Sequence, residues 1–520
     1  MPDFISHSML KDETVEVRSY QVSIANKAAG KNTLVVLPTG LGKTQIAILV
    51  AANRLESFPG SKVLIVAPTR PLAEQHLNSF TKSMNLVGEQ LLLVTGNVEP
   101  AKREKLYKWA TVICATPQTI ENDVLSGRLK LEEISLLVVD EVHRAVKKYA
   151  YPIVARQYLK VAEHPRVLGL TASPGSDETR INEICKHLGI EAVEIRNETD
   201  KDVEQYVQEQ EIEIVKVELE GPLLAAEVEL KLALNERMKK LKDWGLHVFS
   251  KKDLLVAQQR MQDKLKEGKR PIYYQYLSGI AETIKIWHAL ELVETQSVAA
   301  SSAYLEKIAD GDSRAAKRMT ADPKVDNAIR AIRKLKAEAR EHPKTVRLCE
   351  TIRLELEKNP KLKIIVFSHY RDNIAEIAKR LRLIEGCRPA VLIGQSGETG
   401  LSQKEQISII RDYDCDVYNT LITSPIGEEG LHLASADLAI FYEPVPSEVR
   451  TIQRRGRVGR TKVGRIIMLI TKGTRDETNF YVAKRKEAKM NEILHGMSRS
   501  KDIATDVQEN GNGQTGLTGF

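Results

Sequence analysis

The chain has 520 residues, of which 42% are hydrophobic and 28% are charged. This length is too great for one hydrophobic core, so we expect two or three domains, and the composition is that of an ordinary globular protein. The formal net charge of +7 is compatible with a polyanionic partner but does not require one.

Cysteine spacing and hydropathy exclude several classes of protein. The five cysteines lie far apart without paired spacing, which excludes a disulfide framework or a zinc site. The N-terminal segment is too polar for a signal peptide, and no run approaches the roughly 18 apolar residues of a membrane span. We therefore expect a cytoplasmic protein with no membrane partner.

Six short apolar runs between Asn32 and Ser173 alternate with stretches of helical length: TLVVL, KVLIVA, LLLVT, TVICA, SLLVVD and RVLGLTA. This alternation predicts an α/β domain with a parallel sheet that helices cover on both faces. The runs are followed by PTGLGKT, PTRPLAEQ, TG, TPQ, DEVH and TASP. Because ligands bind at the carboxyl ends of such strands, these segments predict a site at that edge.

The first of these segments, Leu37 to Thr44, has the features of a phosphate-binding loop. Gly40 and Gly42 allow a bend in which successive N–H groups face a phosphate. Lys43 supplies a positive charge for the β- and γ-phosphates of ATP, and the Thr44 hydroxyl is placed to bind Mg²⁺. Leu37 stands where the strict pattern has its first glycine, so an ordinary glycine turn is the alternative.

Two carboxylates end the fifth run. Asp140 would hold Mg²⁺ and Glu141 would orient and deprotonate the attacking water, whereas a solvated acidic turn is the alternative. Hydrolysis also needs guanidinium groups to meet the developing negative charge, and QRRGRVGR offers them in Arg457 and Arg460 beside Gln453. A solvated basic loop or a plain nucleic-acid contact is the alternative for this segment.

A second alternating block contains KIIVFS, PAVLIG, TLITS, DLAIFYEP and RIIMLIT, and the segment between the blocks has helical periodicity. Within it, residues 231–270 hold twelve Lys and Arg against five Asp and Glu, so this segment carries the whole surplus of positive charge. We predict domain 1 at residues 1–205, a helical insertion at 206–345, domain 2 at 346–482, and a C-terminal helix with a disordered tail at 483–520.

The segments LPTGLGKT, APTRPLAEQ, DEVH, TASP, ITSPIGEEGL and QRRGRVGR, in this order on two α/β blocks, resemble the superfamily 2 helicases. Within that superfamily the chain looks most like the archaeal Hef helicases, relatives of the Fanconi anaemia M and Mph1 translocases. The resemblance implies two RecA-like motor domains, a thumb-like insertion between them, and the use of ATP and Mg²⁺.

The resemblance also assigns residues to roles. The residues that resemble nucleotide contacts are Arg18, Gln21, Pro38, Thr39, Gly40, Leu41, Gly42, Lys43, Thr44 and Gly430. Those that resemble nucleic-acid contacts are Thr69, Arg70, Thr116, Ser368, Tyr370, Arg371, Thr423 and Ser424. Those that resemble residues coupling the nucleotide state to the nucleic-acid groove are His143, Thr171 and Ser173.

Some of these residues have a simpler interpretation. Gln21 could be an exposed helix residue, Thr116 a helix cap, His143 a support for its turn, and Tyr370 a core residue. We assign Lys239, Lys240, Lys251 and Lys252 of the insertion to duplex binding near a branch point, with a solvated helical face as the alternative.

These assignments predict an ATP-dependent 3′ to 5′ DNA helicase or translocase that acts on forked or branched DNA in replication-fork repair and associates with the nucleoid. A separate nuclease or replication-repair proteins are candidate partners. An RNA helicase or double-stranded-RNA-stimulated ATPase is one alternative, and a non-catalytic nucleic-acid-binding scaffold is another. His432 replaces the family's usual Asp, which puts one ribose or closure contact in question. No second carboxylate-rich segment follows, so we expect no nuclease activity from this chain alone.

Overall fold

The structure is a computed structural model that describes residues 3–146, 149–198, 200–206, 210–268, 270–312, 314–394, 400–424, 436–444 and 464–509. Within these ranges the chain forms two parallel β-sheets and a bundle of helices. No helix in the described part of the chain is long and apolar enough to cross a membrane.

Domain 1 is built on a parallel sheet of seven strands in the order β3-β4-β2-β5-β6-β1-β7. The strands are β1 (Thr33–Val36), β2 (Lys62–Val66), β3 (Leu91–Val94), β4 (Val112–Ala115), β5 (Ile134–Asp140), β6 (Val167–Thr171) and β7 (Ala192–Ile195). The helices are α1 (Ser19–Gly30), α2 (Lys43–Ser57), α3 (Arg70–Ser83), α4 (Pro100–Tyr107), α5 (Pro117–Leu125), α6 (Ala150–Val161) and α7 (Glu178–Leu188).

Two separate hydrophobic clusters lie in domain 1, and residues of β1 to β6 divide between them. Leu34 and Val36 of β1 face one cluster, whereas Val35 faces the other. This division follows from the period of two in a strand and from the helices on both faces. The six predicted apolar runs are confirmed as β1 to β6, and β7 was not predicted.

The helical insertion contains α8 (Gly221–Asp243), α9 (Lys251–Glu267), α10 (Pro271–Thr295), α11 (Val298–Ala309), α12 (Arg314–Thr320) and α13 (Pro323–Ala337). One hydrophobic cluster joins α8, α10, α11 and α13, and a smaller cluster joins α8, α9 and α10. Gly279 of α10 lies against the Trp244 ring, where an added Cβ would overlap that ring. The absence of a side chain there lets α10 approach the end of α8 closely.

Domain 2 is a parallel sheet of six strands in the order β10-β11-β9-β12-β13-β8. The strands are β8 (Gln210–Val217), β9 (Ile364–Phe367), β10 (Pro389–Leu392), β11 (Thr420–Thr423), β12 (Leu438–Phe441) and β13 (Gly464–Thr471). The helices are α14 (Pro343–Lys358), α15 (Arg371–Leu381) and α16 (Gln403–Asp414). The five predicted runs of the second block are confirmed as β9 to β13.

Strand β8 belongs to domain 2 although it precedes the insertion in the chain. It pairs with β13 from Gln210 opposite Gly464 to Val217 opposite Thr471. The predicted start of the insertion at residue 206 therefore differs from the structure, in which the bundle begins with α8 at Gly221. The physical reason is that the long edge of β13 offers a full ladder of hydrogen bonds to β8.

The bundle and domain 2 are joined by polar contacts that are mostly buried. The Ser297 amide donates to Asn373 Oδ1 at 3.0 Å, and the Val298 amide donates to Glu341 Oε1 at 2.6 Å. Arg380 of α15 pairs with the same Glu341 at 2.8 Å. Because these contacts link α11, α15 and the start of α14, the insertion is held tightly to domain 2.

A long last helix, α17 (Arg475–Glu509), leaves domain 2 and reaches domain 1. Its first turn contributes Asp476, which is buried and pairs with Lys344 of α14 at 2.6 Å. Further along, Met490 and Leu494 pack in a hydrophobic cluster of domain 1. The domain boundary predicted at residue 483 falls inside this helix, which begins soon after β13.

Candidate active site

The phosphate-binding loop ends at the first turn of α2, where Gly42 has a φ of +77°. A side chain is strained at that φ, and a Cβ at Gly42 would overlap the side-chain amide of Gln21. No side chain caps the N-terminus of α2. Its first N–H groups therefore remain available for an anion, as the phosphate prediction requires.

Two residues of α1 hold the loop from behind. The Tyr20 hydroxyl donates to the Leu41 carbonyl at 2.8 Å, and Gln21 Nε2 donates to the same carbonyl at 3.2 Å. Gln21 is 2% exposed, which excludes the alternative of an exposed helix residue. Arg18 lies nearby, where it pairs with Glu16 at 2.8 Å. Of these two predicted nucleotide contacts, Gln21 is thus positioned against the loop, whereas the Arg18 guanidinium lies over the Tyr206 ring.

Lys43 lies at the start of α2 with its ammonium group over the loop backbone. Its Nζ donates to the Leu37 carbonyl at 2.9 Å and to the Pro38 carbonyl at 3.3 Å. Its positive charge is also one of the causes that lower the pKa of Asp140. The structure therefore brings the loop lysine and the β5 carboxylate to one edge of the sheet, as the sequence predicted.

Asp140 is held as an anion. Burial alone would raise its pKa, but a hydrogen bond from His76, the charges of His76 and Lys43, and the Glu141 amide together lower it below the usual value. The distance from His76 Nε2 to Asp140 Oδ2 is 2.9 Å. Sequence reasoning missed His76, which immediately follows the segment APTRPLAEQ and lies on the buried face of α3. An anionic carboxylate in this position fits the predicted Mg²⁺ site.

Glu141 occupies a strained backbone position at the end of β5. Its φ is +50°, which is unusual for a residue with a side chain. Its Oε2 atom is buried without a hydrogen-bond partner among the described residues, and His143 Nδ1 lies 3.2 Å away without hydrogen-bond geometry. A buried carboxylate oxygen that lacks a partner is suited to accept a proton from a bound water. The acidic turn is therefore not simply solvated.

The TASP segment makes an internal hydrogen-bonded turn. The Thr171 hydroxyl donates to the Ser173 carbonyl, and the Ser173 amide donates to the Thr171 hydroxyl, each at 3.1 Å. The Ser173 hydroxyl donates to Met490 Sδ of α17 at 2.9 Å. Both side chains are buried. The predicted coupling residue therefore contacts a helix that comes from domain 2.

The predicted nucleic-acid contacts of domain 1 follow β2 and β4. The Thr69 hydroxyl is buried and has no hydrogen-bond partner in the described ranges, and the Arg70 side chain is exposed. The Thr116 hydroxyl lies 2.9 Å from the Thr119 hydroxyl and makes no cap hydrogen bond to the backbone of α5. Thr116 nevertheless stands at the N-cap position of α5, which begins at Pro117, so the alternative of a helix start is confirmed in position, without a capping hydrogen bond.

The corresponding residues of domain 2 are largely engaged within the domain. Ser368 and Thr423 are buried, and their hydroxyls bond to Asn373 Nδ2 at 3.1 Å and to the Ser424 carbonyl at 3.1 Å. Ser424 is also buried. These residues lie at the carboxyl ends of β9 and β11. The hydroxyls of Ser368 and Thr423 form their hydrogen bonds within domain 2.

Tyr370 and Arg371 begin α15. Burial, together with the neighbouring carboxylate of Glu291, raises the pKa of Tyr370 well above its usual value. The Arg371 guanidinium donates to the Gly394 carbonyl at 3.3 Å. Tyr370 packs near His288 of α10, with ring centroids 5.9 Å apart. The core interpretation of Tyr370 is thus the one that its surroundings favour.

The four predicted lysines of the insertion differ from one another. Lys239, Lys240 and Lys252 are exposed, whereas Lys251 pairs with Glu291 of α10 at 2.7 Å. Burial would raise the pKa of Glu291, but hydrogen bonds with His288 and Lys251 and the charges of Lys251 and Arg475 lower it to about 2. Lys251 therefore has a structural partner, and the other three are exposed lysines of α8 and α9.

Several predictions lie outside the described residues. They concern the arginine segment with Gln453, Arg457 and Arg460, the nucleotide contact Gly430, and the departure at His432. These assignments stay predictions from the sequence.

Three family models match successive parts of the chain. The "DEAD/DEAH box helicase" model matches residues 18–181 and the "Helicase conserved C-terminal domain" model matches residues 344–462. Between them, the "Putative ATP-dependent RNA helicase, helical bundle" model matches residues 226–340. The order of the three matches follows domain 1, the insertion and domain 2.

Curated relatives match along nearly the whole chain. A "Putative ATP-dependent RNA helicase" of Methanocaldococcus jannaschii is 39% identical over 95% of this chain and 63% of its own length. A "DEAD-box ATP-dependent RNA helicase FANCM" of Arabidopsis thaliana is 32% identical over 91% of this chain and 36% of its own length. An "ATP-dependent DNA helicase MPH1" of Pyricularia oryzae is 31% identical over 93% of this chain and 46% of its own length. The chain thus spans less than two thirds of each of these relatives.

A solved structure matches more completely. The crystal structure of the Pyrococcus furiosus Hef helicase domain superposes with a TM-score of 0.73 and 40% identity. The match covers 91% of this chain and 99% of that one. Together with the motif order, the paired sheets and the helical bundle between the two motor domains, this identity shows that the chain belongs to the superfamily 2 helicases of the Hef, FANCM and Mph1 type.

Proposed function

We propose that this chain is an ATP-driven motor that translocates on DNA and acts on forked or branched structures in replication-fork repair. The observation that carries this proposal is the convergence at one edge of the domain 1 sheet of Lys43, anionic Asp140 and Glu141, whose Oε2 atom has no hydrogen-bond partner among the described residues. ATP hydrolysis needs an ammonium group and two carboxylates placed together in this way, whereas the packing of domain 1 does not. The relative of Pyricularia oryzae that is named as a DNA helicase supports the choice of DNA.

The residues of the loop would bind the phosphates of ATP. The N–H groups of the first turn of α2 and the Lys43 ammonium supply positive potential, and Gln21 would read the base from its place behind the loop. Thr44 and Asp140 would hold Mg²⁺, which neutralises phosphate charge when bound. Glu141 would orient the attacking water and accept its proton, with His143 beside it.

Turnover would depend on closure of the two domains. Gln453, Arg457 and Arg460 would cross the cleft to reach the phosphates, so hydrolysis would occur only in the closed state. Arg70 and Thr116 of domain 1 would grip the phosphate backbone of one strand, and the strand ends of domain 2 would grip it in alternation. We propose 3′ to 5′ movement by resemblance to the family.

The insertion would hold the duplex beside the branch point. Its exposed Lys239, Lys240 and Lys252 make a basic surface, and phosphate contacts of that kind carry no sequence information. Because the bundle is fixed to domain 2 through Glu341 and Asn373, it would move with that domain. We further propose association with the nucleoid, and a separate nuclease or replication-repair proteins as partners.

A second candidate function is an RNA helicase or a double-stranded-RNA-stimulated ATPase. It is favoured by two relatives that are named as RNA helicases. Phosphate contacts do not distinguish the two sugars, since only a contact to the 2′-hydroxyl does so. A non-catalytic scaffold is disfavoured, because a scaffold has no need of an anionic Asp140 beside an orphaned Glu141 carboxylate.

The experiment that tests the proposal is an ATPase panel. Turnover is measured with forked DNA, single-stranded DNA, duplex DNA and duplex RNA at equal nucleotide concentration, with Lys43→Ala as the inactive control. We expect forked DNA to give the greatest stimulation. Greater stimulation by duplex RNA would favour the second function, and turnover that no nucleic acid changes would contradict both.

A further inference from the structure

We propose that Met490 of α17 is a positioning residue for the Ser173 hydroxyl, and that α17 thereby ties the TASP turn of domain 1 to domain 2 and the helical bundle. This inference rests on the proposed ATP-driven function. Its starting point is the contact from Ser173 Oγ to Met490 Sδ at 2.9 Å, between residues 317 positions apart in the chain.

The contact is enclosed on the domain 1 side. Ser173 is 1% exposed and Met490 is 3% exposed. Met490 and Leu494 both belong to the hydrophobic cluster under β1, β5 and β7. His495 adds a polar contact, with its Nε2 3.0 Å from Asn197 Nδ2. The middle of α17 is therefore docked on domain 1 and does not merely pass over it.

The beginning of the same helix is fixed elsewhere. Asp476 pairs with buried Lys344 of domain 2 and accepts from the Thr471 amide at 3.1 Å. Arg475 lies 4.5 Å from the centroid of the Trp287 ring and 3.4 Å from Glu291, both on α10 of the bundle. One helix thus has a first turn held by domain 2 and the bundle, and a middle held by domain 1.

A continuous helix transmits displacement because its backbone hydrogen bonds keep its length fixed. The fifteen steps from Arg475 to Met490 span about 22 Å at a rise of about 1.5 Å per residue. Rotation of domain 2 on nucleotide binding would therefore shift Met490 relative to Ser173, unless the contact between the two residues resisted the rotation. Within the described ranges the acceptor of the Ser173 hydroxyl is the Met490 sulfur, so the orientation of the hydroxyl depends on where α17 lies.

The sulfur and the bulk of Met490 can be tested separately. Met490→Leu removes the acceptor but keeps most of the apolar volume, whereas Met490→Ala also opens a cavity. Leu494→Ala is the matched control, because it opens a similar cavity in the same helix and the same cluster, and a leucine side chain has no acceptor for the Ser173 hydroxyl. Each variant is made in the full chain.

The readouts are the melting temperature, the ATPase rate without nucleic acid, and the rate at saturating forked DNA. For Met490→Leu we expect an unchanged melting temperature and basal rate, with the DNA-stimulated rate lower by about two- to tenfold, the equivalent of one neutral hydrogen bond. For Leu494→Ala we expect a lower melting temperature and an unchanged ratio of stimulated to basal rate. If the ratio of stimulated to basal rate falls equally in Met490→Ala and Leu494→Ala, the inference is overturned. Both substitutions would then act only by weakening the packing of α17 on domain 1.

A double substitution supplies a second test. With the hydroxyl removed by Ser173→Ala, the further change Met490→Leu should have no additional effect on the stimulated rate, because the two residues act through one contact. Additive losses would overturn the inference. If no nucleic acid stimulates the ATPase rate of the parental protein, the proposed function is overturned. If nucleic acid stimulates the parental protein and the Met490→Leu variant to the same extent, this inference alone is overturned.

Discussion

At the scale of single residues, Gly42 decides whether the phosphate loop can form. Gly42→Ala places a methyl group against the Gln21 amide at a φ of +77°. We expect weaker ATP binding, seen as a KM at least about tenfold higher, because either Gln21 or the loop must move. Gly60→Ala is the control, since Gly60 has a φ of +86° but nothing within 4 Å of the added Cβ. A Gly42→Ala variant with the KM of the Gly60→Ala variant would contradict the close packing of loop and α1.

Glu141 can be tested by an isosteric change. Glu141→Gln keeps the shape of the side chain at its unusual backbone position but removes the carboxylate that would accept a proton. We expect kcat to fall by about 10² to 10⁴, the range for loss of general base catalysis, while the affinity for a fluorescent ATP analogue changes little. Turnover near the parental rate would contradict the assignment and return Glu141 to a structural role.

The sequence was sufficient for the central site residues. Lys43, Asp140 and Glu141 were predicted because each follows an apolar strand at the edge where parallel sheets bind ligands. Their supports were not predictable. His76 acts on Asp140 from 64 positions away, and Met490 reaches Ser173 across 317 positions. Neither contact leaves a local pattern, because it is created only when separate elements pack together.

At the scale of elements, α8 and α9 carry the exposed basic surface of the bundle. Replacing Lys239, Lys240 and Lys252 with Ala should lower affinity for forked DNA and reduce the slope of log affinity against log salt by about 0.7 to 0.9 per lost phosphate contact. The measurement is a salt titration of binding. An unchanged slope would assign these lysines to a solvated helical face.

Two comparisons sharpen that experiment. Lys102 and Lys105 are exposed lysines on α4 of domain 1, and their replacement by Ala should leave the salt slope as it is in the parental protein. Lys251→Ala should act differently from its neighbours, because Lys251 pairs with Glu291. We expect it to lower the melting temperature more than it changes the salt slope.

Helix α10 also gives the molecule a pH dependence. Burial raises the pKa of Glu294 to about 7, and the charge of Glu227 adds to this, whereas Lys231 and Arg475 oppose it. The folded state thus holds a proton that an unfolded glutamate releases near pH 4.5, so unfolding becomes easier as pH rises from about 4.5 to about 7. Glu294→Gln should remove this loss, at most about 1.4 kcal/mol per pH unit. The measurement is the free energy of unfolding by denaturant at pH 5 and pH 8. If Glu294→Gln changes that free energy by the same amount at both pH values, the assignment is contradicted.

Most elements were predictable because their periodicity is strong. The six runs of domain 1 and the five of domain 2 are apolar on both faces, as buried parallel strands must be. Strand β8 escaped prediction because Ile212 and Ile214 alternate with charged residues, and both isoleucines are partly exposed at the sheet edge. Strand β8 joins the sheet of domain 2 by pairing with β13, and no local feature of the sequence indicates that pairing.

At the scale of the whole molecule, the buried pair of Lys344 and Asp476 joins α14 to α17. Burial raises the pKa of Asp476 despite the neighbouring ammonium group, so burying the carboxylate charge costs free energy even within the pair. Lys344→Met should lower the free energy of unfolding by about 3 to 5 kcal/mol, because it leaves the carboxyl group buried without its partner.

The matched double variant separates charge from packing. Adding Asp476→Asn to Lys344→Met removes the unpaired charge and keeps an acceptor for the Thr471 amide. We expect this change to recover most of the lost stability, as measured by denaturant unfolding. If the double variant is no more stable than Lys344→Met, the loss comes from packing around Lys344 rather than from an unpaired charge.

The early position of β8 has a consequence for how the protein is made. Lys472, just after β13, bonds to Glu218 just after β8 across 254 positions of the chain. At a synthesis rate of about 5 to 20 residues per second, β8 would emerge roughly 13 to 50 s before β13. During that interval its hydrogen-bonding edge has no partner. A ribosome that stalls within the helical bundle would therefore release a chain with an open strand edge, prone to aggregate, even though domain 1 had already folded.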